Sequence, residues 1–502
     1  MSKSSNPHNS LNMQNHHQLA LLTDLYELTM MQGYFFSHRH RQAVYEMFFR
    51  RQPFEGGYTI LAGLDPLLDV VENLRFTESD LNYLESLKLF KQDFLDYLGD
   101  FRFNGDIFAV SEGTPVFPNE PILRVHANIM EAQLVESIIL NFINFQSLIA
   151  TKTARIVHAA NGSMVMEFGL RRAQGIDGAI SGSRAAYIGG ASGTSNVLAG
   201  KLYGIPVSGT MAHAWIMSFD TELESFQAYA DLYPQECILL VDTFDTLKSG
   251  VPNAIKVFKS MDHRENRGLG IRLDSGDLEY LSKAAREMLD ENGLPEVKIV
   301  ASNELDEGIA NQLRKTGAPI DGWGIGTKLI TANDDPALTG VYKIAARLEK
   351  GKEAPTIKIS NNPEKTTNPG IKNVYRLYDQ QQKMLADLIY LEKEEETLGR
   401  AIKKKTAITF NHPNIDYARF SLDTYGEARK LLQLVMKAGK KLAASPSLDR
   451  LQQRTRTELA SLDSTYKRLI NPHIYKVSLS NRLKQLKKDM IRRYSGSQQP
   501  TL

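Results

Sequence analysis

Cysteine is nearly absent: Cys237 is the single one in 502 residues. No intrachain disulfide can form, and a thiol inside the apolar run 237–241 reads as buried and inert. No segment approaches the roughly 20 uninterrupted apolar residues of a membrane span. The first 18 residues are polar, rich in Asn, His and Ser, and lack the apolar stretch of a signal peptide. These absences predict a cytoplasmic protein with no membrane partner. The net charge is only +2, which implies no overall attraction to nucleic acid. There is no internal repeat and no low-complexity tract. No second histidine lies at metal-ligand spacing from His213, which argues against a zinc site.

What is present is a rhythm. Between residues 162 and 329, short apolar runs each end in polar residues. The run 163–168 precedes Arg171 and Arg172, 205–213 ends in His213, and 237–241 precedes Asp242 and Asp245. The run 269–274 precedes Ser275, Gly276 and Asp277, 297–302 precedes Asn303 and Glu304, and 320–325 precedes Gly326 and Thr327. Strands of 4–8 residues alternating with helical segments imply βα units and a parallel sheet. Polar residues just past the carboxyl ends of successive strands predict an α/β barrel with its active site at that end.

A chain this long exceeds the size of a single core, so several domains are expected. The barrel is assigned to 130–348, preceded by a disordered leader over 1–18 and an α+β domain over 19–129. An exposed connection and a two-stranded return follow over 349–391, then a mostly helical, basic region over 392–502. The N-terminal domain opens with a helix over 19–35, where Asp24 and Glu27 are spaced as a capping box and Tyr26 sits among Leu21, Leu22, Leu25 and Leu28 as a core residue. Strands are expected over 44–49, 59–61 and 122–125, one helix over 78–97, a long buried helix over 130–153 and a short strand over 155–160. Residues 427–493 carry 17 Lys/Arg against 5 Asp/Glu, the pattern of a solvated helical face.

Several groups suit chemistry. His213 follows a Gly-Thr turn, where it fits a nucleophile, a general base or a ligand, and equally a structural imidazole. Arg272 and Asp274 alternate onto one face of a strand, either as an internal ion pair or as site residues. The Ser275-Gly276 turn offers N–H and hydroxyl groups to an anion or a sugar. Asp242 and Asp245 end the preceding strand, and carboxylates meeting on one rim suit magnesium, which prefers oxygen ligands. Gly322, Gly324 and Gly326 let backbone approach a ligand, and Thr327 adds a hydroxyl, as in the phosphate loops of late barrel strands. Phe168 with Arg171 and Arg172 offers a ring to stack and guanidinium groups to face a carboxylate. Together these parts describe a site for a phosphorylated sugar, an aromatic acid, a magnesium ion and a reactive histidine.

The motifs Thr23-Asp-Leu-Tyr26, Glu167-Phe-Gly-Leu-Arg-Arg-Ala173, Gly209-Thr-Met-Ala-His213, Leu240-Val-Asp-Thr243, Arg272-Leu-Asp-Ser-Gly276, Gly322-Trp-Gly-Ile-Gly-Thr327 and the stretch 358–365 resemble nicotinate phosphoribosyltransferase over roughly residues 19–490. The resemblance implies an incomplete TIM-like barrel of the type II phosphoribosyltransferases with an α+β N-terminal domain. It implies that nicotinate and phosphoribosyl pyrophosphate become nicotinate mononucleotide and pyrophosphate, with Mg2+ bound and with ATP hydrolysis coupled through a phosphohistidine at His213. It also implies a homodimer with shared sites, in which Tyr26 of the partner subunit stacks on nicotinate opposite Phe168. Arg171 then clamps the carboxylate. Asp274 moves from ion pair to ribose or magnesium contact, with Asp242 beside it, and Thr210, Arg272, Ser275, Gly276, Gly324, Gly326 and Thr327 surround the phosphoribosyl group. Ser195 stands where the nicotinamide enzymes place an aspartate, and a hydroxyl can donate to a carboxylate that an aspartate would repel.

Overall fold

The computed structural model describes residues 19–261, 268–349, 351–362 and 365–495, so the leader expected over 1–18 lies outside the described residues. The chain divides into two units. One takes the residues up to Ser147, Ala337–Ser447 and those from Thr457 onward; the other takes Leu148–Pro336 and Leu448–Arg456.

The second unit is built on a six-stranded parallel sheet. In spatial order its strands are Gly193–Thr194, Met164–Glu167, Gly322–Ile325, Lys298–Asn303, Gly270–Leu273 and Ile238–Leu240. Each strand is short and apolar, with Val165, Leu239, Ile271, Leu273, Ile299, Ala301, Trp323 and Ile325 all buried. Near-continuous apolar strands are what a sheet covered on both faces requires. Helices such as Gly175–Gly189, Val251–Ser260, Leu278–Glu291 and Glu307–Lys315 separate the strands in sequence. Parallel pairing puts every carboxyl end on the same edge, so the polar residues that follow the strands gather there.

The first unit carries two further sheets. A seven-stranded antiparallel sheet has Gln42–Phe49 between Gly340–Glu349 and Leu123–Asn128. A six-stranded mixed sheet centres on the antiparallel pair Lys372–Tyr378 and Met384–Leu391, the two-stranded return expected from sequence. Because Gly340–Glu349 pairs with Gln42–Phe49, the chain from Ala337 belongs to this unit and not to the barrel stretch drawn to 348.

Several local expectations are corrected. The first helix is Leu25–His38, and Asp24 makes no side-chain cap. The Glu27 carboxylate is instead buried, taking hydrogen bonds from the hydroxyls of Thr23 and Ser137. The helix over 78–97 is two helices, Glu78–Ser86 and Gln92–Gly99, separated where Lys88 takes a positive φ of 56°. The strand expected over 155–160 is the last part of the helix Glu136–Ala160, which ends at Asn161 and Gly162 with φ values of 47° and 92°. Its buried stripe continues through Ala154, Ile156, Ala159 and Ala160, so packing extends it past the expected end.

Ile129–Ala160 is long and apolar enough on average to cross a membrane, although polar and charged residues interrupt it, and 67% of its most apolar window is buried within the fold. The run 205–213 forms no strand, only a bridge from Val207 to Thr194.

The C-terminal region is not mostly helical. Strands Ile408–Asn411, Arg419–Leu422, Glu427–Lys430, Gln433–Lys437, Lys440–Lys441 and Val477–Leu479 interrupt the helices Glu395–Lys403, Leu448–Ser461 and Asn481–Ser495. The Ala438-Gly439 turn between two of these strands has positive φ at both residues, as a two-residue hairpin requires.

Candidate active site

Arg272, at the end of its strand, joins three segments of the second unit. Its Nε–H donates to Ser302 Oγ at 2.8 Å, Nη1 to Thr210 Oγ1 at 3.0 Å and Nη2 to Asp274 Oδ1 at 2.7 Å. The same Asp274 oxygen accepts from the Ser302 hydroxyl, and the other, Oδ2, lies 3.8 Å from His213 Nε2. Partial burial pushes the Asp274 carboxyl up, but the Ser302 hydroxyl, the Arg272 guanidinium and the His213 ring together outweigh it and hold it below the usual range. It is therefore an ionised group at neutral pH.

His213 opens the short helix His213–Met217 with its side chain 39% exposed, and its Nδ1 lies 3.0 Å from Thr243 Oγ1. Asp242 braces the other side of the cluster. Its Oδ2 accepts from the Asp274 backbone N–H at 2.9 Å and from the Ser275 hydroxyl at 2.6 Å. Its Oδ1 is buried without a hydrogen-bond partner, a costly position for a carboxylate oxygen and a free valence for a cation. Among the described residues no three His, Cys, Asp or Glu side chains form a metal cluster. The third carboxylate considered, Asp245, caps the turn that follows it, accepting from the N–H groups of Leu247 and Lys248. Asp277 caps the helix Leu278–Glu291 in the same way.

The exposed Ser275-Gly276 turn continues the rim, and Gly276 has φ of 77°, which a side chain rarely adopts. Two glycines of the 322–327 stretch pack against Phe168. A Cβ on Gly324 would lie 2.6 Å from the Phe168 ring, and one on Gly326 3.1 Å from the Phe168 carbonyl. Their small size leaves room for Phe168. Thr327 donates its hydroxyl to Glu304 at 3.0 Å, beside Asn303 with its φ of 113°. Phe168 is half-buried with the Arg272 guanidinium 5.9 Å from its ring centre, while Arg171 lies exposed on the turn Leu170–Arg172. Ser195 is half-buried one residue beyond the Gly193–Thr194 strand, its N–H bonded to the Glu167 carbonyl at 3.0 Å.

Tyr26 is in the first unit and is not a core residue: it is 48% exposed on the helix Leu25–His38. Cys237 is buried, and burial pushes its thiol up to about 12, so it is inert as expected. Sequence reasoning assigned no role to Ser302 or Thr243, which hold Arg272, Asp274 and His213. Each sits at the polar end of an apolar run, the signal that marked their neighbours.

The nicotinate phosphoribosyltransferase N-terminal domain matches residues 21–144, the family as a whole 164–401 and its C-terminal domain 371–487. The chain is 46% identical to the nicotinate phosphoribosyltransferase of Bacillus subtilis (strain 168) over 92% of its length and 93% of that protein. It is 35% identical to that of Caenorhabditis elegans over 95% of each chain. The crystal structure of human nicotinic acid phosphoribosyltransferase superimposes with a TM-score of 0.78 at 28% identity, covering 94% of this chain and 100% of that one. With every motif of the rim inside the matched segments, the chain belongs to the nicotinate phosphoribosyltransferase family.

Proposed function

We propose that the chain converts nicotinate and phosphoribosyl pyrophosphate into nicotinate mononucleotide and pyrophosphate, coupled to ATP hydrolysis through phosphorylation of His213, as the entry of salvaged nicotinate into NAD synthesis. One observation carries this reading: His213 Nε2 faces Asp274, which also holds Arg272 and through it Thr210, on one edge of one sheet. In the tautomer with Nδ1–H donating to Thr243, the Nε2 lone pair is free to attack the γ-phosphorus of ATP. The N–P bond forms as the P–O bond to ADP breaks, and hydrolysis later returns phosphate and the free imidazole. A phosphate on Nε2 places new negative charge about 4 Å from Asp274, and that repulsion reorganises the pyrophosphate end of the site.

In the transfer itself the pyridine nitrogen bonds to the anomeric carbon as its bond to pyrophosphate breaks, so no strong general base is needed. Positive charge develops on that carbon, and the side chains of Asp274 and Asp242 stabilise it. The same pair would hold Mg2+, whose chemistry when bound is to neutralise the departing pyrophosphate. Arg272, Thr210, Ser275, Gly276 and the Gly326-Thr327 turn surround the phosphoribosyl group. Phe168 and Arg171 hold the ring and carboxylate of nicotinate, and Ser195 donates to that carboxylate. Tyr26 of the partner subunit completes the stack in a homodimer with shared sites, which fits its exposure here. The six-stranded parallel sheet is read as an incomplete barrel, and the enzyme as cytoplasmic.

Incubation with nicotinate, phosphoribosyl pyrophosphate and Mg2+ should yield nicotinate mononucleotide, faster with ATP present, and nicotinamide should not replace nicotinate. Failure to form mononucleotide in any mixture eliminates the reading. Label from the γ-phosphate of ATP should appear as an acid-labile adduct on wild type and be absent from His213→Ala; equal labelling of both would move the phosphorylated residue elsewhere.

A further inference from the structure

Glu167 is a fully buried carboxylate at the end of the Met164–Glu167 strand, and the reaction as drawn does not use it. Three neutral donors from three segments converge on it. The Gly169 N–H donates to Oε1, and the hydroxyls of Ser183 and Thr194 donate to Oε2 at 2.8 and 2.6 Å. The backbone repeats the grip, because the Glu167 carbonyl accepts the Ser195 N–H at 3.0 Å. Two of the donors lead to residues of the aromatic-acid slot. Gly169 follows Phe168, and its carbonyl accepts the Arg172 N–H at 2.8 Å, which starts the turn bearing Arg171. Thr194 precedes Ser195, and its hydroxyl takes the Asn196 N–H at 3.0 Å. Ser183 ties the cluster to the helix Gly175–Gly189.

We infer that Glu167 is a positioning residue that sets the spacing between the Phe168–Arg171 turn and Ser195, and thereby the enzyme's affinity for the pyridine carboxylate. This rests on the nicotinate reading given above. A carboxylate suits the task because it only accepts, so one group satisfies donors from both sides of the slot. Glutamine has nearly the same shape but turns an NH2 toward two hydroxyls that now point their protons at it. Ser183 can redirect to the Ala179 carbonyl, 2.9 Å away, whereas Thr194 has only Ser183 Oγ at 3.4 Å. Gly169 is packed too closely for a side chain: a Cβ there would lie 2.5 Å from Ile330 Cβ and 2.9 Å from Glu167 Oε1.

The test is Glu167→Gln, with Gly169→Ala as a second way to open the same spacing. In folded Glu167→Gln the KM for nicotinate should rise about tenfold or more, since small misplacements of binding groups carry large penalties. The KM for phosphoribosyl pyrophosphate and the phosphorylation of His213 should stay within twofold. Hydrogen exchange should quicken at the amides of Gly169 and Asn196 and not at 272–276. An unchanged nicotinate KM, or equal rises for both substrates, overturns the inference. If wild type forms no mononucleotide, the nicotinate reading fails by itself; the exchange pattern then still decides whether Glu167 organises both segments, and unaltered exchange at both amides overturns that role too.

Discussion

Each unit contains an Arg–Asp pair at the same distance, and the two have opposite meanings. Arg272 Nη2 and Asp274 Oδ1 are 2.7 Å apart with side chains 18% and 30% exposed; Arg376 Nη2 and Asp387 Oδ2 are 2.7 Å apart with both fully buried. Around Arg376 the partners are structural. Asp387 takes two bonds from the guanidinium edge and a third from the Tyr475 hydroxyl at 3.0 Å, while the Phe117 ring lies 5.2 Å from the guanidinium centre. Burial and the neighbouring Asp387 push the Glu120 carboxyl well above its ordinary range. Around Arg272 the pair opens toward the His213 imidazole and an unsatisfied Asp242 oxygen. Distance and residue type do not distinguish an internal brace from a site; access to solvent does.

The sharpest way to break that contrast is to remove the carboxylate from each pair. Asp387→Ala should cost about 3–5 kcal/mol in urea unfolding, because it strands a buried guanidinium. An unfolding midpoint equal to wild type would show that the buried pair is not a brace. Asp274→Asn should change unfolding by only about 1 kcal/mol, since a partly exposed pair contributes little. Its kcat/KM should fall roughly 100-fold, as expected for losing one charge aimed at a developing cation. Retained activity with a large stability loss would make both pairs structural. Ser195→Asp should weaken nicotinate use by well over roughly tenfold, on the scale of one misplaced like charge. Unchanged catalytic efficiency in that variant would remove Ser195 from the slot.

The smallest effect concerns another buried acid of the first unit, Glu27. Burial raises its carboxyl from 4.5 to about 7; the Thr23 and Ser137 hydroxyls pull it down, while Glu136 and Asp24 push it further up. A raised acid favours the folded state most below its unfolded pKa and loses that advantage as pH rises through the folded value. Thermal stability should therefore decline between about pH 4.5 and pH 7, and Glu27→Gln should flatten that decline. Identical pH profiles for the two proteins would refute the assignment.

Much of the rim was legible because parallel strands deliver their carboxyl ends to one edge. Apolar runs closing on Asp242, Asp274 and Thr327 therefore located the site before any coordinates. Less legible was which polar residue does chemistry. Asp242 and Asp245 lie three residues apart after one strand, yet one braces the site and the other caps a turn. The strand-to-helix corner needs both kinds of aspartate, and composition cannot separate them. The C-terminal hairpins were missed for a related reason: a basic, polar stretch reads as a solvated helix unless its strand partners are known. Gln433–Lys437 takes its identity from pairing with Asp106–Ala109, more than 300 residues earlier.

The amino-acid order by itself determined the parallel βα sheet, the edge on which chemistry-bearing residues collect and the family to which the chain belongs, since these follow from periodicity and local motif. Only the tertiary structure decided the contacts across that edge. Neighbouring strands fix their register through packing and hydrogen bonds between distant segments, and so they alone set Asp242 against the Asp274 amide, Gly324 beneath the Phe168 ring and Glu167 between the two walls of the slot.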